Sequence, residues 1–145
     1  MTFLLDVNLL IALIDPGHVA HNDAHKWFGS TGRAAWATCP MTENAVIRIV
    51  GNPKYQNSPG GPSVVAQMVT RLCALSGHSF WADDLSLVAS QNIDVSRILT
   101  AAQVTDTYLL ALAKAHGGQL ATLDRRLSPT TVKDGKLALH LIAGS

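Results

Sequence analysis

Four carboxylates, Asp6, Glu43, Asp106 and Asp124, each stand where a stretch that reads as a strand runs out, or where the helix after one begins. In a parallel sheet such positions open onto one edge, the edge at which open α/β sheets place their ligands. Carboxylates gathered there repel one another unless a cation sits among them, and an oxygen-only ligand set selects a hard ion such as Mg²⁺ or Mn²⁺. An ion so held lowers the pKa of a bound water, places that water in line with a phosphodiester and neutralises charge on the leaving oxygen. The chemistry these residues point to is metal-assisted phosphodiester hydrolysis.

The elements that must position them centre on residues 104–127, VTDTYLLALAKAHGGQLATLDRRL. From Thr105 the side chains are apolar almost all round, which predicts a helix buried against a sheet. Gly117 and Gly118 supply its C-terminal turn, and residues 119–123 follow as a strand that delivers Asp124. Asp106 is expected in the first helical turn, where free amide groups favour an anion. Thr122 and Asp124 are two apart and so share one side of the strand.

The other acids sit in similar frames. Residues 2–5 read as a strand ending at Asp6, and helical spacing over 7–14 stops at Asp15-Pro16-Gly17. An amphipathic helix is expected over 18–29, a turn at 30–32 and a second strand at 33–39 that Pro40 closes. Thr42 then caps a helix over 43–50, which puts Glu43 at a helix start directly after a strand. Residues 54–62, KYQNSPGGP, form the most loop-like stretch and are expected to be mobile. A helix over 63–75 and a strand over 78–82 follow, with Asp83 or Asp84 capping a helical turn at 85–89, a further short helix at 96–102 and a last strand at 137–143. Strands alternating with helices imply an α/β fold, a parallel sheet covered on both faces.

Size and composition leave room for little else. The 145 residues, 48 % hydrophobic and 14 % charged, suit a single domain spanning 1–145 with ample core. Asp6, Asp15 and Asp106 interrupt the longest apolar runs, so no membrane span is expected, and no basic region precedes the N-terminal apolar run as in a secretory signal. Cys39 and Cys73 are too few for a disulfide framework, and a reduced cytoplasmic setting follows. A net charge of +1 gives no whole-protein field that would announce nucleic acid. Nine of the ten acids are Asp, and Glu43 is the only Glu.

The segments LLDVNLLIAL, WATCPMTENAVIRIVGNP, FWADDLSL and VTDTYLLALAKAHGGQLATLDRRL, in this order and spacing, closely resemble the PIN-domain ribonucleases that serve as VapC-type toxins. The resemblance runs over nearly the whole chain. It implies a three-layer α/β/α sandwich with a mainly parallel sheet and a Mg²⁺- or Mn²⁺-dependent endoribonuclease acting on RNA. It also implies a homodimer, and inhibition by a small VapB-type antitoxin through which alone DNA would be met. Carried over by position, the acidic quartet is Asp6, Glu43, Asp106 and Asp124, with Asn8 and Thr122 where the family places polar residues that hold carboxylates and waters. Arg125, Arg126 and Arg48 are candidates for RNA phosphates, Arg48 also for the antitoxin.

Other residues have ordinary explanations. His18, His21 and His25 fall on one helical face; a pair four apart can chelate zinc, but no cysteine or carboxylate completes a site, and a solvated face is the default. The PGGP segment follows no strand and lacks the ending of a phosphate-binding loop. Two rivals remain open at this point. A phosphatase of the haloacid dehalogenase type also begins with a strand and an Asp, but needs a second Asp where Asn8 stands. A protein with the same fold and acidic cleft that binds RNA or a partner without turnover is the other.

Overall fold

The computed structural model describes residues 1–143. Five short strands, β1 (Phe3–Leu5), β2 (Trp36–Thr38), β3 (His78–Phe80), β4 (Gln119–Thr122) and β5 (Leu139–Leu141), form one sheet in the order β3-β2-β1-β4-β5. Every pairing is parallel, with Leu4 opposite Ala37 on one side and Leu120 on the other. The chain winds outward from β1 to β3 in one direction and from β4 to β5 in the other. The winding therefore reverses between β1 and β4, the kind of switch point at which a crevice opens beyond the strand ends.

Five α-helices complete the layers: α1 (Val7–Ile14), α2 (His21–Ser30), α3 (Pro40–Val50), α4 (Pro62–Cys73) and α5 (Ala102–Ala115). Successive strand residues point to opposite faces, and this divides the core in two. Leu5, Trp36 and Ala121 pack with α1 to α4, while Leu4, Ala37 and Leu120 pack with α5. The all-round apolar character of α5 has its reason here. Leu109, Leu110, Leu112 and Ala113 are buried between the sheet and an outer cover that supplies Trp81, Ile93, Leu127, Val132 and Ala138. Gly117 adopts φ +69°, the left-handed turn that ends α5. At Gly118 a Cβ would lie 2.2 Å from the Thr2 carbonyl oxygen, so only glycine lets the chain enter β4 beside β1.

Several expected boundaries are corrected. α3 begins at Pro40, not after Thr42, because proline's fixed φ suits a first helical position and its missing N–H is no loss there. Thr42 lies one turn in, its hydroxyl donating to the Cys39 carbonyl and accepting from the Cys39 N–H, both at 3.0 Å. α5 starts at Ala102, so Asp106 lies beyond its first turn. The Gln103 amide oxygen takes up the Leu99 and Thr100 N–H groups ahead of the helix. No helix forms over residues 85–89, and the short helix expected over 96–102 reduces to a 3₁₀ turn at Val95–Arg97. These segments serve as cover for α5, and Ile93 bridges to Val132 there.

The loop after α3 is tied down. The carboxylate of Asp15, itself buried, accepts from the Tyr55 hydroxyl at 2.5 Å and the Asn57 amide at 3.2 Å, while Ser58 donates to the Val50 carbonyl at 2.7 Å. The histidine face is not simply solvated. His21 Nδ1 and His25 Nε2 each lie 2.7 Å from a carbonyl of the last turns of α1, those of Ala12 and Leu13. Their rings cap a helix end whose carbonyls would otherwise lack partners. No helix among the described residues is long and apolar enough to cross a membrane.

Candidate active site

β1 ends at Leu5, whose register partner in β4 is Ala121, and the Asp6 N–H donates to the Ala121 carbonyl at 2.9 Å. This pairing sets Asp6 beside Thr122. Thr122, fully buried, donates its hydroxyl to Asp6 Oδ2 at 2.7 Å and accepts the Asp124 N–H at 3.0 Å. One hydroxyl thus ties the Asp6 carboxylate to the backbone at Asp124. Asp6 Oδ1 accepts the Val7 N–H at 2.7 Å, so the same residue caps α1. Asp124 Oδ1 accepts the Arg126 N–H at 2.8 Å. Asn8 reaches across from α1, its amide nitrogen 3.5 Å from Thr122 Oγ1 and its amide oxygen 3.4 Å from the Leu123 N–H.

Asp6, Asp106 and Asp124 line one cleft of about 730 Å³, together with Asn8, Met41, Asn44, Arg48 and Asp83. Burial pushes the Asp106 carboxyl up to about 6, with the charges of Asp6 and Asp124 adding to the effect. Asp6 is also raised, by burial above all and by Asp124, although its hydrogen bonds from Thr122 and Val7 oppose the shift. Among the described residues, no Lys or Arg side chain forms an ion pair with these three acids. The cleft therefore gathers these acids with no cation paired to them, Arg48 standing on its wall.

Glu43, the fourth expected acid, does not line this cleft. The reason is helical phase. Thr42, Val46 and Val50 form the buried stripe of α3, and this turns Met41, Asn44, Ala45 and Arg48 toward the cleft and Glu43 and Ile47 toward α4. Glu43 instead accepts the Thr38 hydroxyl at 2.6 Å, in a groove it shares with Cys73. Of the four expected acids the cleft brings three together, and Glu43 stands in the neighbouring groove.

Arg48 is on the cleft wall, whereas Arg125 and Arg126 are exposed beside Asp124 and do not line it. The sequence predicts that Asp83 or Asp84 caps a turn at 85–89, and Asp83 does not. It caps α3 instead, accepting the Met41 N–H at 3.0 Å, and so brings a fourth carboxylate to the cleft from β3's side. Sequence spacing could not reveal that partnership, which spans forty-two positions. Asn44 reaches the wall because the Thr42-Val46-Val50 stripe is buried.

Residues 3–132 match the PIN domain family. Three ribonucleases of Mycobacterium tuberculosis are similar over most of their length. VapC44 is 39 % identical over 141 residues, covering 97 % of this chain and 98 % of its own. VapC39 is 39 % identical over 128 residues, covering 88 % and 92 %, and VapC38 is 42 % identical over 121 residues, covering 83 % and 84 %. Such identity over near-complete lengths, on a parallel sheet with carboxylates at its switch point, places the chain in the PIN-domain family, among the VapC ribonucleases.

Proposed function

We propose that this protein is the toxin of a VapBC-type pair, a Mg²⁺- or Mn²⁺-dependent endoribonuclease whose ion is held by Asp6, Asp106 and Asp124. The observation that carries the reading is the shared cleft of those three acids, where Asp106 is held near 6 by burial and by its two acidic neighbours. All-oxygen donors in an acidic cleft fit a hard divalent cation, and Mg²⁺ retains several of its waters when carboxylates hold it. When bound, such an ion activates a water and stabilises charge on a phosphodiester.

The chain's own residues do the positioning. Thr122 fixes Asp6 and the backbone at Asp124, and Asn8 braces Thr122 and Leu123. Arg48 on the cleft wall, with exposed Arg125 and Arg126 nearby, offers charge to RNA phosphates. Single-stranded loops suit such a cleft, since their bases can be splayed out for recognition. The cognate partner is a VapB-type antitoxin, the assembly a homodimer and the setting cytoplasmic, in keeping with two unpaired cysteines.

The test is cleavage of total cellular RNA by purified protein in Mg²⁺, in Mn²⁺ and in EDTA, beside an Asp6→Asn, Asp106→Asn double variant prepared identically. Discrete fragments from the wild type alone, and only with metal, are expected. Equal cleavage by the variant refutes the reading, and RNA binding in EDTA with no cleavage in Mg²⁺ would favour a binding protein without turnover.

A further inference from the structure

On the side of α3 turned away from the cleft, toward α4, lies a second set of ligand-type side chains. Among the described residues, Glu43, Cys73 and His78 are the one group of three whose ligand atoms all come within 4.8 Å of one another. They arise from separate elements: Glu43 from the start of α3, Cys73 from the last position of α4 and His78 from the first position of β3. All three are half-buried. Between them stands Thr38, fully buried, with its hydroxyl 2.6 Å from Glu43 Oε2 and 2.7 Å from a ring nitrogen of His78.

We propose that Glu43, Cys73 and His78 form a binding site for a borderline-soft divalent cation of the Zn²⁺ class, distinct from the hard-cation site of the aspartate cleft. Donor chemistry separates the two. Thiolate and imidazole select Zn²⁺ over Mg²⁺, which prefers oxygen. A carboxylate and a thiolate also balance the charge of a divalent ion. Tetrahedral zinc with bonds of about 2.0–2.3 Å sets its ligand atoms about 3.3–3.8 Å apart. Three half-buried groups whose ligand atoms already lie within 4.8 Å of one another need only small side-chain rotations to reach that spacing. Three protein ligands leave the fourth position to water, and Thr38 supplies an outer hydroxyl that orients two of the three ligands.

The site would act as a staple. β3 is the sheet's edge strand and its Phe80 is 58 % exposed, while only Val65 and Val69 of α4 are buried. An ion bridging these elements through α3 would stabilise the native state in proportion to its binding. It would also occupy the Glu43 side chain that helical phase has turned away from the cleft.

The experiment is a titration of metal-free protein with Co²⁺, a spectroscopic substitute for Zn²⁺, in millimolar Mg²⁺ so that the aspartate cleft is saturated. The wild type is expected to bind one equivalent with a thiolate-to-cobalt charge-transfer band in the near ultraviolet, displaced by Zn²⁺, with release of the thiol proton. Cys73→Ser loses the band. By competition against a chromophoric chelator, Cys73→Ser and His78→Gln each weaken Zn²⁺ binding by about tenfold or more. The double variant Asp6→Asn, Asp106→Asn keeps both band and affinity. Zn²⁺ raises the melting temperature of the wild type and not of Cys73→Ser, and this variant retains Mg²⁺-dependent RNA cleavage. Absence of a thiolate band in the wild type, its persistence in Cys73→Ser, or Zn²⁺ affinity that falls with the aspartates and not with Cys73 overturns the proposal. Near-ultraviolet circular dichroism establishes that each variant is folded before it is titrated.

Discussion

Replacing Asp106 by Asn should stabilise the fold while ending catalysis, and the two effects have one cause. In the native protein the Asp106 carboxyl rises from 3.8 to about 6 because burial, with Asp6 and Asp124, penalises its ionised form. At about 1.4 kcal/mol per pKa unit the shift is worth about 3 kcal/mol. Asp106 is only half-buried, and solvent screening reduces the recoverable part to on the order of 1–2 kcal/mol. The sign follows from proton binding. Between about pH 4 and 6 the native state holds a proton that the unfolded chain has lost, so wild-type stability falls as pH rises through this window. Asn carries no charge, and the variant escapes the fall. In EDTA at pH 8 Asp106→Asn is therefore expected to melt about 3–6 °C above the wild type, on a chain of this length. At pH 4 the difference should vanish. Millimolar Mg²⁺ should raise the wild-type melting temperature and leave the variant nearly unmoved, because in the proposed site only the intact acid set would hold the ion. Calorimetric or fluorescence-detected melting at two pH values, with and without Mg²⁺, gives all four numbers. A variant that is destabilised equally at pH 4 and pH 8 would refute the reasoning, since Asp106 would then be a structural group and no member of a repelling cluster.

Thr122→Val keeps the side chain's shape but removes the hydroxyl that donates to Asp6 and accepts from Asp124; cleavage should fall by about 10–100-fold, with near-normal far-ultraviolet dichroism, as measured in initial-rate RNA assays. Glu43→Gln, a change outside the cleft, should reduce Mg²⁺-dependent cleavage far less than Asp6→Asn, and matched losses in parallel assays would show that Glu43 enters the reaction. Tyr55→Phe deletes a hydrogen bond to the buried Asp15 carboxylate and should cost about 1–3 kcal/mol at pH 7 in denaturant unfolding. Burial opposes the ionisation of Asp15, but hydrogen bonds from Tyr55, Asn57 and Gly17 outweigh it and hold its pKa below the usual value. Stability from that pair is therefore present at neutral pH and lost as pH falls through the lowered pKa, so the Tyr55→Phe effect should shrink in acid.

The alternation of strands and helices, the helix over Val7–Ile14 and the Gly117 turn before β4 were legible in the sequence, because hydrophobic period and glycine conformation are local properties. So were Asp6 and Asp124, since a carboxylate that directly follows a buried strand is placed by the strand itself. What local pattern could not supply was phase and partnership. The Thr42-Val46-Val50 stripe, once buried, rotated Glu43 out of the cleft and Asn44 into it. Asp83 found the amide of Met41 instead of a helix of its own, and the segments expected as helices over 85–89 and 96–102 became cover for α5, with a 3₁₀ turn at Val95–Arg97. His21 and His25, which read as a polar face, closed the end of α1. The sequence by itself determined the five strands, the longer helices and which acids stand at strand ends. Tertiary structure alone decided which side chains face each other, because that depends on how each helix rolls to bury its apolar stripe against a sheet built from distant parts of the chain.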